Sequence, residues 1–363
     1  MTSTTPPRIL LAGGGSAGHV SPLLATADRL RTLAPGAEIV VLGTPEGLET
    51  DLVPAAGFEL VTIDKVPFPR RPDGAALRFP ARFTGTLREV RALLRERRID
   101  VVAGYGGYVC PPAYLAAASA KVPFVVHEAN RRPGLANRLG ARRAAAVLTA
   151  FEGSTLPGAR RIGMPMRRAV AELDRAARRD AAIAGFGLDP ARPVLLTTGG
   201  SLGAQRLNAA VAAASEDLLA AGVQILQVTG RGKNEGVTPR PGHVVLEYVS
   251  AMEDAYAAAD LALTRSGAGT VCELSAVGLP AVLVPLPIGN GEQALNGEQL
   301  VEAGGALMVE DSRLDADWLR AHVLPLITDP AALARMAEAS RTAGITDAAE
   351  VMAEVVIGVA RRA

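Results

Sequence analysis

The stretch AGGGSAGHVSP, residues 12–22, joins an anion-binding pattern to a proton acceptor. Gly13, Gly15 and Gly18 have the G-x-G-x-x-G spacing of a dinucleotide-binding turn. Such a turn opens a helix whose free backbone N–H groups and dipole favour a phosphate. His19 follows at once, and a neutral imidazole can take a proton near neutral pH. The same histidine is also placed to pack against the turn or cap it. A nicotinamide-dinucleotide fold needs an acid at the end of its second strand, about 20 residues on, to hold the ribose. Here the strand-like EIVVLGTPEG ends in Gly43-Thr44, and the next acid, Glu46, lies beyond a proline. That missing acid argues against an NAD-dependent oxidoreductase.

Two further turns follow the same plan. In RPVLLTTGGSLGAQRLN, residues 192–208, Gly199-Gly200-Ser201-x-Gly203 matches Gly14-Gly15-Ser16-x-Gly18. In TRSGAGTVCE a strand ends, Ser266 to Gly269 turn, and Thr270 onward reads helical. That places Glu273 in the first helical turn, where its carboxylate can accept from both hydroxyls of a ribose. It can equally serve as a partner of the helix dipole.

The elements that must position these turns are strands alternating with helices. RILLA ends at the first turn, and Val20, Leu23, Leu24, Ala27 and Leu30 then recur at helical spacing. AEIVVLG, IDVVAG, VPFVVHE and AAVLTA continue the first half; VQILQVTG, HVVLEYV, DLALTRSGAG, PAVLVPL and GALMVE fill the second. This is the pattern of parallel sheets covered by helices, in two Rossmann-like halves. The expected division is residues 1–166, residues 167–347, and a last helix within 348–363 packing back on the first half. The polar, arginine-rich helical stretch 167–185 reads as the linker between them.

Composition narrows the class. The 363 residues carry a formal net charge of +1, which gives no global case for nucleic acid. Cys110 and Cys272 form no disulfide framework. There is no apolar signal core at MTSTTPPR and no apolar run of about 18 residues, so a cytosolic chain is expected.

Taken in order, GGGSAGHVSP, GYGGYV, HEAN with GLANRLGAR, GMPMR, GGSLGAQRLN, RSGAGTVCELSAVGLPAVLVP and EQALN resemble the MurG family of peptidoglycan glycosyltransferases. The resemblance runs from about residue 8 onward. It implies an α/β chain with the GT-B fold, two Rossmann-like domains facing a cleft. It also implies an inverting transfer of N-acetylglucosamine from UDP-N-acetylglucosamine to the 4-hydroxyl of the N-acetylmuramyl moiety of lipid I. The product is lipid II for peptidoglycan synthesis, and so for cell shape and division. Carried over by position, Ser16, Ala17 and Gly18 form the first donor-contacting loop, and Asn130 contacts the donor sugar. Arg167 lies near the diphosphate, and Ser201 contacts it. Val249 meets uracil through its backbone. Ala268, Gly269, Thr270, Val271, Cys272 and Glu273 form the nucleotide segment, with Glu273 on the ribose. Gln293 reads sugar hydroxyls. Ala17 stands where the family often has glycine, which requires a negative φ there.

Transfer needs a base, for which His19 is the candidate, and a means to neutralise the leaving diphosphate. Helix N-termini and Arg167 can supply the latter, so no cofactor and no metal is expected. The one D-x-D, Asp315-Ala316-Asp317, precedes WLRAHVL and reads as the acidic start of a helix. His127 either lines the cleft or ends its strand, in a structural or acceptor-orienting role, and His243 and His322 read as structural. The glycines of GYGGYVCPP offer a turn for the acceptor's diphosphate. Residues 65–98 hold ten basic and three acidic side chains, with Phe68, Leu77, Phe79 and Phe83 interleaved. That suits peripheral attachment to the anionic cytoplasmic membrane face, although a solvated helix has the same composition. A UDP-sugar epimerase of similar shape and a non-enzymatic scaffold are the competing readings.

Overall fold

Strands that are apolar on both faces must be covered on both, and a parallel sheet with crossover helices does this. The computed structural model describes residues 6–69, 71, 74–200, 204–234, 236–287 and 291–362. Its internal contacts separate one unit, Met1–Arg167 with Asp347–Ala363, from a second, Arg168–Thr346.

The first unit holds β1 (Arg8–Ala12), β2 (Glu38–Gly43), β3 (Glu59–Thr62), β4 (Val101–Gly104), β5 (Phe124–Glu128), β6 (Ala146–Thr149) and β7 (Ala159–Arg161). They form one parallel sheet in the order β3-β2-β1-β4-β5-β6-β7. Its helices are α1 (Ala17–Leu33), α2 (Glu49–Ala55), α3 (Gly74–Glu96), α4 (Cys110–Ala120) and α5 (Leu135–Gly140). Residues alternate across β1 as a strand requires. Ile9 and Leu11 join a core with Leu23, Leu30 and Val41, while Leu10 and Ala12 join another with Val40, Val90 and Tyr114. The final helix, Ala348–Ala360, packs on α1 and adds Met352, Val356 and Val359 to the first of these cores. At the end of β4, a Cβ on Gly104 would lie 2.1 Å from the Tyr114 hydroxyl, so only glycine lets α4 approach this closely.

The second unit restarts the pattern with β8 (Val194–Thr198), β9 (Gln224–Val228), β10 (His243–Leu246), β11 (Leu261–Thr264), β12 (Ala281–Leu283) and β13 (Ala306–Met308). This sheet is also parallel, in the order β10-β9-β8-β11-β12-β13. Among its helices are α6 (Arg168–Ala171), α7 (Arg175–Gly185), α8 (Gln205–Ala220), α9 (Met252–Ala258), α10 (Ala268–Val277) and α11 (Glu292–Glu302). Both sheets are Rossmann-like, and in each the strand order reverses beside the first strand, between β1 and β4 and between β8 and β11. Ligands of such sheets lie beyond the carboxyl ends of the strands at that point.

Two sequence expectations are corrected here. The arginine-rich stretch read as a linker is α6 and α7 of the second unit. Arg175 of α7 donates to the carbonyls of Tyr256 (3.0 Å), Gly278 (2.8 Å) and Ala259, and burial lowers its pKa to about 10. Arginines that look solvated in sequence are here donors to the carbonyl ends of neighbouring elements. The second correction concerns α10, which begins at Ala268 and not Thr270, so Glu273 falls in its second turn. Ala268 and Gly269 take helical geometry directly after the extended Gly267. Among the described residues no helix is long and apolar enough to cross a membrane.

Candidate active site

The turn after β1 lies at the reversal point of the first sheet. Gly15 takes φ +86°, open only to glycine at little cost, while Ala17 is the first residue of α1 and keeps a negative φ. Ser16 and Gly18 are exposed and Ala17 is half-buried. His19, two residues into α1, points its Nδ1 back to the Gly14 carbonyl at 3.2 Å, with the Ser16 hydroxyl also at 3.2 Å. A carbonyl can only accept, so Nδ1 carries the proton and the neutral ring keeps a bare Nε2. That nitrogen lies against the loop after β4, where a Cβ on Gly106 would come within 2.7 Å of it. Burial lowers the His19 pKa, and the Gly14 carbonyl with the charges of Glu128 and Glu49 offsets this only in part. A neutral ring with an unprotonated Nε2 is the form a general base needs.

Beneath the turn sits a group that sequence reasoning missed. Glu49, the first residue of α2, is fully buried. Its Oε2 accepts from the Gly15 amide at 2.9 Å, and its Oε1 from the Thr44 amide at 2.8 Å and hydroxyl at 2.7 Å. Burial pushes this carboxyl up, but the amide bonds from Gly15 and Thr44 and the Thr44 hydroxyl outweigh it and hold the pKa below the ordinary value. A Cβ on Gly14, Gly43 or Gly47 would fall 2.3, 2.6 or 2.0 Å from Glu49 atoms.

The β4 loop closes over the same place. Gly106 and Gly107 have φ +109° and +86°, and a Cβ on Gly107 would meet the Gly14 carbonyl at 2.5 Å. The Gly106 amide donates to Cys110 Sγ at 3.1 Å, and burial raises that thiol to about 11, so Cys110 is an inert packing group. At the end of β5, His127 is buried. Its Nε2 donates to the Gly163 carbonyl at 3.1 Å, and its Nδ1 has no partner among the described residues. Burial lowers its pKa to about 4, against a smaller opposing effect of that bond. Next to it, the buried Glu128 accepts from the Asn130 amide (2.9 Å), the Gly134 amide (3.0 Å) and the Asn137 side chain (3.0 Å). This fixes the loop that carries the half-buried Asn130. Arg167 is exposed at the last position of this stretch of the unit.

In the second unit, the segment Ala268, Gly269, Thr270, Val271, Cys272 and Glu273 forms the first turns of α10. The first amides of a helix have no partner within it and face its N-terminal end. Tyr256 of α9 donates its hydroxyl to Glu273 Oε2 at 2.7 Å, orienting the carboxylate. The turn before α10 rests on Arg265, a buried cation paired with Asp311 Oδ1 at 2.6 Å, while Arg206 meets Asp311 Oδ2 at 3.1 Å. The Ser266 hydroxyl is buried with no partner among the described residues. On α11, Gln293 accepts from the Leu286 amide at 3.0 Å through its carbonyl oxygen, which turns its amino group away from that contact. Val249 is half-buried in the segment between β10 and α9. Ser201 lies outside the described residues. Asp315 caps its helix through the Trp318 amide at 2.8 Å, and Asp317 pairs with Arg320. His243 pairs with Gln227, and His322 stacks on Trp318.

Residues 9–149 match the model of the glycosyltransferase family 28 N-terminal domain, and residues 194–352 that of its C-terminal domain. A relative from Paenarthrobacter aurescens (strain TC1) is 54% identical over 360 residues, 98% of this chain and 97% of its own. It is named UDP-N-acetylglucosamine--N-acetylmuramyl-(pentapeptide) pyrophosphoryl-undecaprenol N-acetylglucosamine transferase. A Streptomyces coelicolor relative of the same name is 50% identical over 353 residues, 96% of this chain and 97% of its own. Among solved structures, Acinetobacter baumannii MurG matches with TM-score 0.80 at 26% identity, covering 97% of this chain and 100% of that one. A UDP-GlcNAc 2-epimerase from Neisseria meningitidis reaches TM-score 0.69 at 15% identity over 97% of this chain and 100% of that one, a likeness of fold alone. The fold and both domain matches agree with the near full-length relatives: this chain belongs to glycosyltransferase family 28, in its MurG group.

Proposed function

We propose that this chain transfers N-acetylglucosamine from UDP-N-acetylglucosamine to the 4-hydroxyl of the N-acetylmuramyl moiety of lipid I, with inversion, giving lipid II for peptidoglycan synthesis. The observation that carries the reading is the 54% identity over 98% of the chain to a relative named for this transfer. His19 is the general base: its bare Nε2 takes the acceptor's proton as the hydroxyl attacks the anomeric carbon. The leaving diphosphate is met by the amides opening α10, by the loop that holds Ser201, and by Arg167. Glu273 accepts from the ribose hydroxyls, and the Val249 backbone meets uracil. Asn130 and Gln293 read the sugar, and Ser16, Ala17 and Gly18 border the reacting groups. No residue in this scheme needs a metal or other cofactor. The first unit takes the acceptor and the second the donor.

The reading extends to the membrane. Phe68, Phe79 and Phe83 form a ring cluster with centroids 5.2–6.1 Å apart, next to Leu77, which is 85% exposed. Arg78, Arg82 and Arg88 are exposed along the same helix, α3. Apolar side chains within a cationic surface attach a protein peripherally to an anionic leaflet. Arg70 and Asp73 of this stretch lie outside the described residues. Radiolabelled UDP-N-acetylglucosamine, with a lipid I analogue either soluble or held in anionic vesicles, tests both parts. Label should enter both acceptors. Changing the three arginines to Gln should weaken vesicle binding roughly 100-fold and spare the soluble acceptor. Sugar epimerisation without incorporation would sink the transferase reading, and unchanged vesicle binding would sink the membrane one.

A further inference from the structure

We infer that Glu49 is a positioning residue for His19, acting through the single peptide unit that joins Gly14 to Gly15. The inference rests on the reading of His19 as the base. A trans peptide presents its N–H and its C=O in opposite directions. On one side the Gly15 N–H donates to Glu49 Oε2 at 2.9 Å, and on the other the Gly14 carbonyl accepts from His19 Nδ1 at 3.2 Å. The buried carboxylate therefore sets the plane of this peptide, and the peptide sets the tautomer and tilt of the ring. A charged acceptor on the N–H also polarises the carbonyl, which strengthens its hold on Nδ1–H and favours the imidazolium formed when Nε2 takes a proton.

The surroundings are built around this link. Gly14, Gly43 and Gly47 leave space only for the Glu49 carboxylate, and the Thr44 amide and hydroxyl both donate to it, which favours its ionised form. Against the Nε2 side of the ring the β4 loop brings Gly106. The charged groups acting on His19 are Glu49 from α2 and Glu128 from β5, and both favour its protonated form. Tyr105 and Cys110, on the elements around Gly106, are held protonated and neutral by burial.

The test is Glu49→Gln in the full chain. Gln keeps an acceptor for Gly15 but turns an amino group toward the Thr44 donors, and it removes the charge. Histidine side-chain NMR, assigned with His19→Gln, should show the His19 pKa lowered and its Nδ1–H tautomer depleted. Turnover should fall about 10- to 100-fold, by analogy with loss of the orienting partner of a metal-ligating histidine, with UDP affinity unchanged. If Glu49→Gln does not fold, Thr44→Val keeps the charge and removes one donor. Glu49 then titrates at a higher pH, and the His19 tautomer signal should follow that titration. Unchanged His19 pKa and tautomer in the folded variant overturns the inference, even where turnover falls. The NMR result does not depend on catalysis, so near-normal turnover in His19→Ala would remove the base reading separately.

Discussion

The turn after β1 and the turn after β11 each border the strand-order reversal of their sheet, from its two different sides, and each opens a helix, yet the charged groups beside them differ in sign. Under the first lies the Glu49 carboxylate, which already occupies the Gly15 amide. Under the second lies the Arg265 guanidinium, which shares Asp311 with Arg206, two cations to one anion. A phosphate brought to the first turn would meet an internal negative charge where a dinucleotide fold offers a free N–H. A phosphate at the second would meet helix amides backed by excess positive charge. On the proposed function, one glycine-containing turn seats a base in the first unit and another meets an anion in the second. A glycine fingerprint reports the shape of a turn, and the charge beneath decides what the turn holds.

This contrast can be broken most sharply at His19. Replacing it with Ala should cut turnover by about 10²–10⁴-fold and leave UDP affinity nearly unchanged, because the proposed function assigns the nucleotide to the other turn. Loss of UDP binding in a folded variant would show that the first turn holds the donor after all. The next largest effect is expected from Glu273→Ala, which removes a carboxylate that Tyr256 aims. A hydrogen bond to a charged group is worth about 2 kcal/mol, or roughly 30-fold in UDP affinity by calorimetry. Unchanged affinity would take Glu273 out of the nucleotide site. The smallest effect is on stability. His127 has a folded pKa of about 4 against an ordinary 6.5, so the unfolded chain binds its proton first as pH falls. Its contribution is intact above pH 6.5, is lost as pH falls from 6.5 towards 4, and is flat below that. Between pH 7 and 5.5 the loss should be about 1 kcal/mol in denaturant titrations. His127→Gln should flatten that slope, and an equal slope in the variant would assign the acid sensitivity elsewhere.

Much of the architecture was legible because parallel strands buried on both faces read as plain apolar runs. RILLA, EIVVLG and VLLTT are examples, and their turns are marked by glycine. β3 and β7 escaped notice, being edge strands of four and three residues with half-exposed or charged side chains. The arginines of α7 misled for a different reason. Their charge looks solvated in one dimension, and only tertiary packing brings Tyr256, Ala259 and Gly278 carbonyls to Arg175. The candidate base was visible at His19 from its place after the glycine turn. Its support was not visible, because Gly15 and Glu49 are 34 residues apart and the link runs through backbone atoms that any residue possesses.

The final helix carries a consequence for how the molecule is made. Met352, Val356 and Val359 complete a core whose earlier members, from Ile9 to Ile162, leave the ribosome first. The second unit, Arg168–Thr346, is continuous in sequence and can close as soon as it emerges. The first must wait with one face of its sheet open until the last helix is translated. At bacterial rates of about 5–20 residues per second this lasts roughly 10 to 40 s. During that interval an apolar surface around Leu11, Leu23 and Leu30 is uncovered on the nascent chain. The unit synthesised first is therefore the last to finish folding.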